Sequence, residues 1–173
     1  LVLGTISAFA GANNVTISSF DNVAGAGNIL DGNDGQSNVI ASVLTIDDAA
    51  GTGVTDNPLD TTIATLNMSN ITGATFMQED DAIDLLAVTV DGDFTLETVD
   101  GTITATDVNT ADDTVTLTSS DAITVANFGI NTDGAGTGGD VDLTAGSTIA
   151  LGFFGIDADV ATVTLAAVGN VTG

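Results

Sequence analysis

Shifting the chain by 26 positions lays Val115, Leu117, Ile123, Val125, Phe128, Gly129 and Ile130 on Val141, Leu143, Ile149, Leu151, Phe154, Gly155 and Ile156 without a gap. Asp133 falls on Asp159 in the same shift. Units begin at Phe94, Val115, Val141 and Val163, spaced 21, 26 and 22 residues apart. A unit of this size is too small to bury its own apolar face, so it must stack on its neighbours. Within each unit apolar and small polar residues alternate, as in Val115-Thr116-Leu117-Thr118 and Val141-Asp142-Leu143-Thr144. Period-two alternation predicts a strand with one face buried. A second short strand follows after a polar corner, at Ile103-Thr104-Ala105, Ile123-Thr124-Val125, Ile149-Ala150-Leu151 and Val171-Thr172.

Short strands joined by tight corners, repeated without a helix, predict an all-β fold, a right-handed parallel β-helix. The alternative is an antiparallel β-sandwich, which also uses short strands at close spacing. Sandwich strands diverge in sequence, whereas these units superpose residue by residue. At roughly 22 residues per coil and about 4.8 Å between strands, the 173 residues predict roughly eight coils and a rod of about 38 Å. The whole chain, residues 1–173, reads as a single solenoid section, with irregular coils over 1–93 and regular repeats over 94–173. In the irregular part, residues 15–17, 39–40, 43–46, 63–68 and 85–90 read as strands, separated by Gly/Asp/Asn-rich stretches.

Composition supports strands and turns. Of the 24 acidic residues only Glu79 and Glu97 are glutamate. Aspartate competes with the backbone for hydrogen bonds and favours turns over helices. There is no Lys, Arg, His, Cys, Trp or Tyr, and the net charge is −24. Phosphate binding relies on basic side chains, so nucleic acid is excluded as a partner, and docking on anionic membranes is disfavoured. No apolar run approaches the ~20 residues of a membrane helix, so no membrane insertion is expected. Disulfides and thiol chemistry are impossible. With no initiator Met and no basic n-region, the chain reads as a mature or excised section.

Three stretches carry a family resemblance: Ala49-Ala50-Gly51-Thr52-Gly53-Val54 with Asp56-Asn57-Pro58-Leu59-Asp60 and Ile63-Ala64-Thr65-Leu66; Val88-Thr89-Val90-Asp91-Gly92-Asp93-Phe94-Thr95-Leu96; and the run from Gly139 to Ile149. These resemble the repeats of filamentous-haemagglutinin-type exoproteins, the large bacterial surface adhesins. The resemblance covers about residues 39–173; residues 1–38 share only composition. It implies a right-handed parallel β-helix, export, and an extracellular or cell-surface setting. Its motifs encode coil geometry, not a site, and the N-terminal secretion domain of such exoproteins is not in this sequence. A chain without Lys or Arg offers trypsin-like proteases no cleavage point, which suits exposed extracellular material.

Candidate chemistry is sparse. Lyases on β-helices need a basic residue, which is absent. The carboxylate pairs Asp47-Asp48, Asp80-Asp81 and Asp112-Asp113 could cooperate in glycoside hydrolysis only from a turn, because strand neighbours face opposite sides. Solvated corners explain them equally, so the chain is expected not to be an enzyme. For a metal, Asp31-Gly32-Asn33-Asp34-Gly35 offers hard oxygen ligands on a glycine-bent loop, which suits Ca²⁺. Asp31, Asn33 and Asp34 are the candidate ligands, with an Asx-rich turn as the plain alternative. Glu79-Asp80-Asp81 and Asp91-Gly92-Asp93 are weaker candidates. Stacking like charges is destabilising, so general cation dependence is expected. Phe128 and the Phe153-Phe154 pair recur with the repeat and read as interior stacking. The reading is therefore a structural segment of a surface adhesin or stalk, whose cell-surface or matrix partner is unknown. Its alternative is a subunit that self-associates end to end, bridged by calcium.

Overall fold

The computed structural model describes residues 1–8, 13–19, 27–33 and 35–173. Every regular element among them is a β-strand, and each paired strand runs parallel to its partners. Among the described residues, the one antiparallel contact is an isolated bridge between Val54 and Asn57. This pattern rules out the β-sandwich and gives a parallel β-solenoid, consistent with the right-handed β-helix expected.

The registers show how the coils stack. On one side Met77, Leu96, Leu117, Leu143 and Leu165 are partners in one column. The second side stacks Ile83, Ile103, Ile123, Ile149 and Val171. A third side, not separated from the second in the sequence reading, stacks Ile17, Ile46, Met68, Val88, Val108, Ile130 and Ile156. The second and third sides belong to one continuous strand, as in Ile103–Thr110, which bends where the register shifts between Ala105 and Asp107. Leu96, Leu117, Ile103, Ile123, Val88 and Val108 are all fully buried. Their alternate neighbours, such as Thr95 and Thr116, point outward, so the two-residue period decides which atoms fill the core.

One column includes every rung: Ile6, Val39, Thr61, Glu79, Thr98, Ser119, Ala145 and Ala167. About six of these rungs belong to complete turns, fewer than the eight coils expected. Residues spent outside the rungs, such as the loop at 53–58 and the corner at 132–140, lengthen the coils and lower their number. The irregular coils follow the same rules with longer strands, Val39–Ala49 and Leu59–Ile71. They differ by an outward loop: Thr52 pairs with Thr75 and Leu59 with Met77, so residues 53–58 leave the rung and return to it. Reciprocal hydrogen bonds close the loop, Val54 N–H to Asn57 O at 3.0 Å and Asn57 N–H to Val54 O at 2.9 Å.

Hydroxyls facing inward at strand ends hold the corners. Thr98 Oγ1 donates to Gly101 O at 3.0 Å, Thr110 Oγ1 to Asp113 O at 2.6 Å, and Thr132 Oγ1 to Gly139 O at 2.6 Å. Each satisfies a carbonyl that the turning backbone takes out of the ladder.

Packing predicts a gradient along the rod. Leu117→Ala, between Leu96 and Leu143, should cost about 2–5 kcal/mol, read as a lowered urea midpoint. Leu165→Ala, on the partly open last rung, should cost clearly less. Equal losses would mean that the coils do not stack as described.

Candidate functional site

Several places among the described residues gather chemistry-bearing side chains, and the calcium candidate is the first. Asp31 ends the strand Asn28–Asp31 and is buried. Its Oδ1 accepts from Asn33 N–H at 2.9 Å, an Asx turn, and from Asn38 Nδ2 at 2.7 Å. Asn38 is fully buried; its amide also donates to Asn33 Oδ1 and, at 3.2 Å, to Leu3 O. Its Oδ1 accepts from Asp60 N–H at 3.0 Å. Asn33 Nδ2 donates to Thr5 Oγ1 at 3.0 Å. The structure thus brings Asp31 and Asn33 together through Asn38, with one oxygen of each turned to the same amide. Asp34, the third candidate ligand, lies outside the described residues. Asp60 stands beside this knot, and burial, then the charges of Asp31 and Asp80, hold its carboxyl above the ordinary range.

Glu79 is the second place, and its burial was not foreseen. The triplet Glu79-Asp80-Asp81 splits by strand alternation. Asp80 faces out, where Oδ2 accepts from Ser37 Oγ at 2.8 Å and Thr62 Oγ1 at 2.9 Å. Glu79 faces in and is fully buried, stacked between Thr61 and Thr98. Ile63 N–H donates to its Oε1 at 2.9 Å and Thr61 Oγ1 to its Oε2 at 2.6 Å. Burial pushes this carboxyl up to about 8 despite those donors. When Glu79 is protonated, the 2.6 Å contact can run from Oε2–H to Thr61 Oγ1. The threonine hydroxyl is then free to donate to Gln78 O at 3.2 Å, and each group keeps a partner.

A carboxyl with a raised folded-state pKa stabilises the fold fully below its unfolded value, and the benefit is lost as pH rises through the folded value. For Glu79 the window runs from the unfolded 4.5 to about 8. The upward shifts of Asp60 and Asp113 have the same sign. The melting temperature should therefore fall between pH 5 and pH 9. Glu79→Gln, neutral throughout and able to donate to Thr61, should flatten most of that fall. An unchanged slope in the variant would show that Glu79 is not the group responsible.

The third place is the glycine loop at residues 132–140. Asp112 has left-handed backbone, φ 68°. Its Oδ1 accepts from Gly134 N–H at 3.2 Å, Gly136 N–H at 3.0 Å and Gly138 N–H at 3.1 Å, and its Oδ2 from Gly136 N–H at 2.8 Å. Three N–H groups from alternate residues converge on one carboxylate, a nest-like anion site, here filled from within the chain. Asp113 beside it is held above the usual range by burial and by the charges of Asp93, Asp91 and Asp112. Asp112→Ala should accelerate amide hydrogen exchange at Gly134, Gly136 and Gly138, leaving the rungs at Leu117 and Leu143 protected. Unchanged exchange at the three glycines would refute the nest.

Other aspartates also find neutral donors, many on a neighbouring rung. Thr114 N–H donates to Asp93 Oδ1 at 3.0 Å and Thr162 N–H to Asp140 Oδ1 at 2.8 Å, while Ser69 Oγ donates to Asp47 Oδ1 at 2.7 Å. In the pairs Asp47-Asp48, Asp80-Asp81 and Asp112-Asp113 one carboxylate, that of Asp47, Asp80 and Asp112, accepts from such donors. Among the described residues no group of three or more acidic side chains is arranged to hold a metal ion.

The fourth place corrects the sequence reading. Phe128, Phe153 and Phe154 are not interior; they are 70%, 94% and 64% exposed. The cause is an outward insert. Asp107 pairs with Gly129 although Ala105 pairs with Val125, so residues 126–128 occupy the place of residue 106 alone. The next coil has the same excursion between Leu151 and Ile156. Gly129 and Gly155 return the chain to the rung with φ 81° and 61°, and a Cβ on Gly129 would collide with the Gly155 carbonyl. The Phe128 and Phe154 rings lie nearly parallel, 8° apart in plane and 6.3 Å between centroids. Phe153 stands at 89° to Phe154 with centroids 5.1 Å apart. With Thr124, Ala150 and Leu151 they line a cleft of about 690 Å³.

No protein-family model, curated protein or solved structure matches the chain. The fold itself defines the class: a parallel β-solenoid with repeat-like coils and an acidic exterior.

Proposed function

We propose that this chain is a structural, non-catalytic segment of a β-solenoid displayed outside the cell, as part of a surface adhesin or stalk. The observation that carries the reading is the unbroken in-register column from Ile6 to Ala167. A column of that kind makes a stiff rod whose length grows one rung at a time, suited to reach and presentation. The resemblance of residues 39–173 to adhesin repeats supports the extracellular setting, as does the absence of Lys and Arg from the sequence. Carboxylates engaged by hydroxyls and backbone amides, such as those of Asp47, Asp80, Asp93, Asp112 and Asp140, support a non-catalytic role.

A second reading follows from the parallel ladder, in which each rung pairs in register with the next: copies of this chain stack end to end into filaments, with calcium screening the −24 charge.

Sedimentation velocity separates the two. A stalk segment should sediment as a monodisperse elongated monomer, both in low salt with EDTA and with millimolar calcium, and its melting temperature should rise with ionic strength. Calcium-driven growth into long particles would replace the first reading by the second. For location, antibodies against the folded chain should label intact source cells. Labelling only after permeabilisation would overturn the extracellular assignment.

A further inference from the structure

We infer that the aromatic corner formed by Phe128, Phe153 and Phe154 receives a cationic side chain, a lysine ammonium or arginine guanidinium, from a basic segment of a partner polypeptide. Large apolar side chains exposed as a group mark an interaction surface. Here each ring is more than half exposed, and two rings meet at a right angle over a cleft.

The choice of occupant follows from charge. The face of an aromatic ring carries negative potential and attracts a cation within about 6 Å of its centroid. The cleft's own lining holds no carboxylate; Asp107 and Asp157, nearby in the ladder, add to that sign. Asp107 pairs with Gly129, the residue after Phe128, and so lies one rung from the rings. Asp157 follows Gly155 by two residues on the rung of Phe154.

The chain has no side chain of its own to answer this arrangement, since Lys, Arg and His are absent. A second copy fits poorly, because it would bring two chains of −24 charge together at an apolar corner. An anionic ligand would be repelled by the same charge. A basic segment supplies both the missing charge and an alkyl stem to lie along the rings, and the −24 field steers it in.

The test uses a fluorescent decapeptide alternating lysine and glycine, titrated by anisotropy at physiological salt. The wild type is compared with the double variant Phe128→Ala/Phe154→Ala, which keeps every charge and removes only exposed side chains. Circular dichroism checks that its fold is intact. The double variant should bind about fivefold to tenfold more weakly. Lysine ε-methylene protons should move upfield on the wild type through ring currents and stay unshifted on the variant. Equal affinity for the two proteins would reduce the effect to the bulk acidic field and overturn the proposal. So would equal binding of the N-acetyl-lysine peptide, which would make the corner a plain apolar contact. A concentration-dependent dimer lost in the double variant would also overturn it, by giving the corner to a second copy.

Discussion

The parallel hydrogen-bond ladder governs everything else in this molecule. It holds each residue about 4.8 Å from its equivalent one rung away, so a side chain's nearest neighbour is another side chain at the same place in the coil. Leucine rests on leucine and isoleucine on isoleucine in the columns through Leu117 and Ile123. Apolar residues gain from the arrangement, because stacking removes both from water. Charged residues lose by it, and so the interior tolerates Glu79 only in company with Thr61 and the Ile63 amide.

The same rule explains how a chain of one charge sign satisfies its carboxylates. Ion pairs with basic side chains are unavailable, so the donors are neutral. They are hydroxyls of Ser and Thr, amides of Asn, and backbone N–H groups at corners, often supplied by an adjacent coil. Asp93 and Asp140 each precede a strand on one rung and accept an N–H that precedes a strand on the next. The abundance of aspartate over glutamate follows, since its short side chain reaches these donors from a turn.

Much of the fold was legible because it is written in the alternation and in the repeat. Strands, parallel stacking and the corners of residues 94–173 all follow from where Val, Leu and Ile recur. The third side was not resolved, because Ile103–Thr110 bends without a turn residue and the period gives no mark of a bend. The aromatic corner was misread for an instructive reason. Superposition of Phe128 on Phe154 shows that two positions are equivalent, but equivalence is silent about inside and outside. The count of residues against the shorter coil decides that, and residues 126–128 overfill a gap where residue 106 suffices. Glu79 was seen as part of an acidic triplet; only the strand's phase, which puts Met77 inside, reveals that Glu79 must follow it inward.

The loop at residues 53–58 has a further meaning for how such chains change over time. It leaves the third coil after Thr52 and rejoins at Leu59, while the rungs before and after keep their registers. Length is therefore free at this corner and fixed on the flat sides. Insertions there do not propagate, so one coil can acquire a new surface motif without renegotiating the packing of any other. Each motif would also stand at a height set by the number of rungs beneath it, which makes the solenoid a ruler as well as a support.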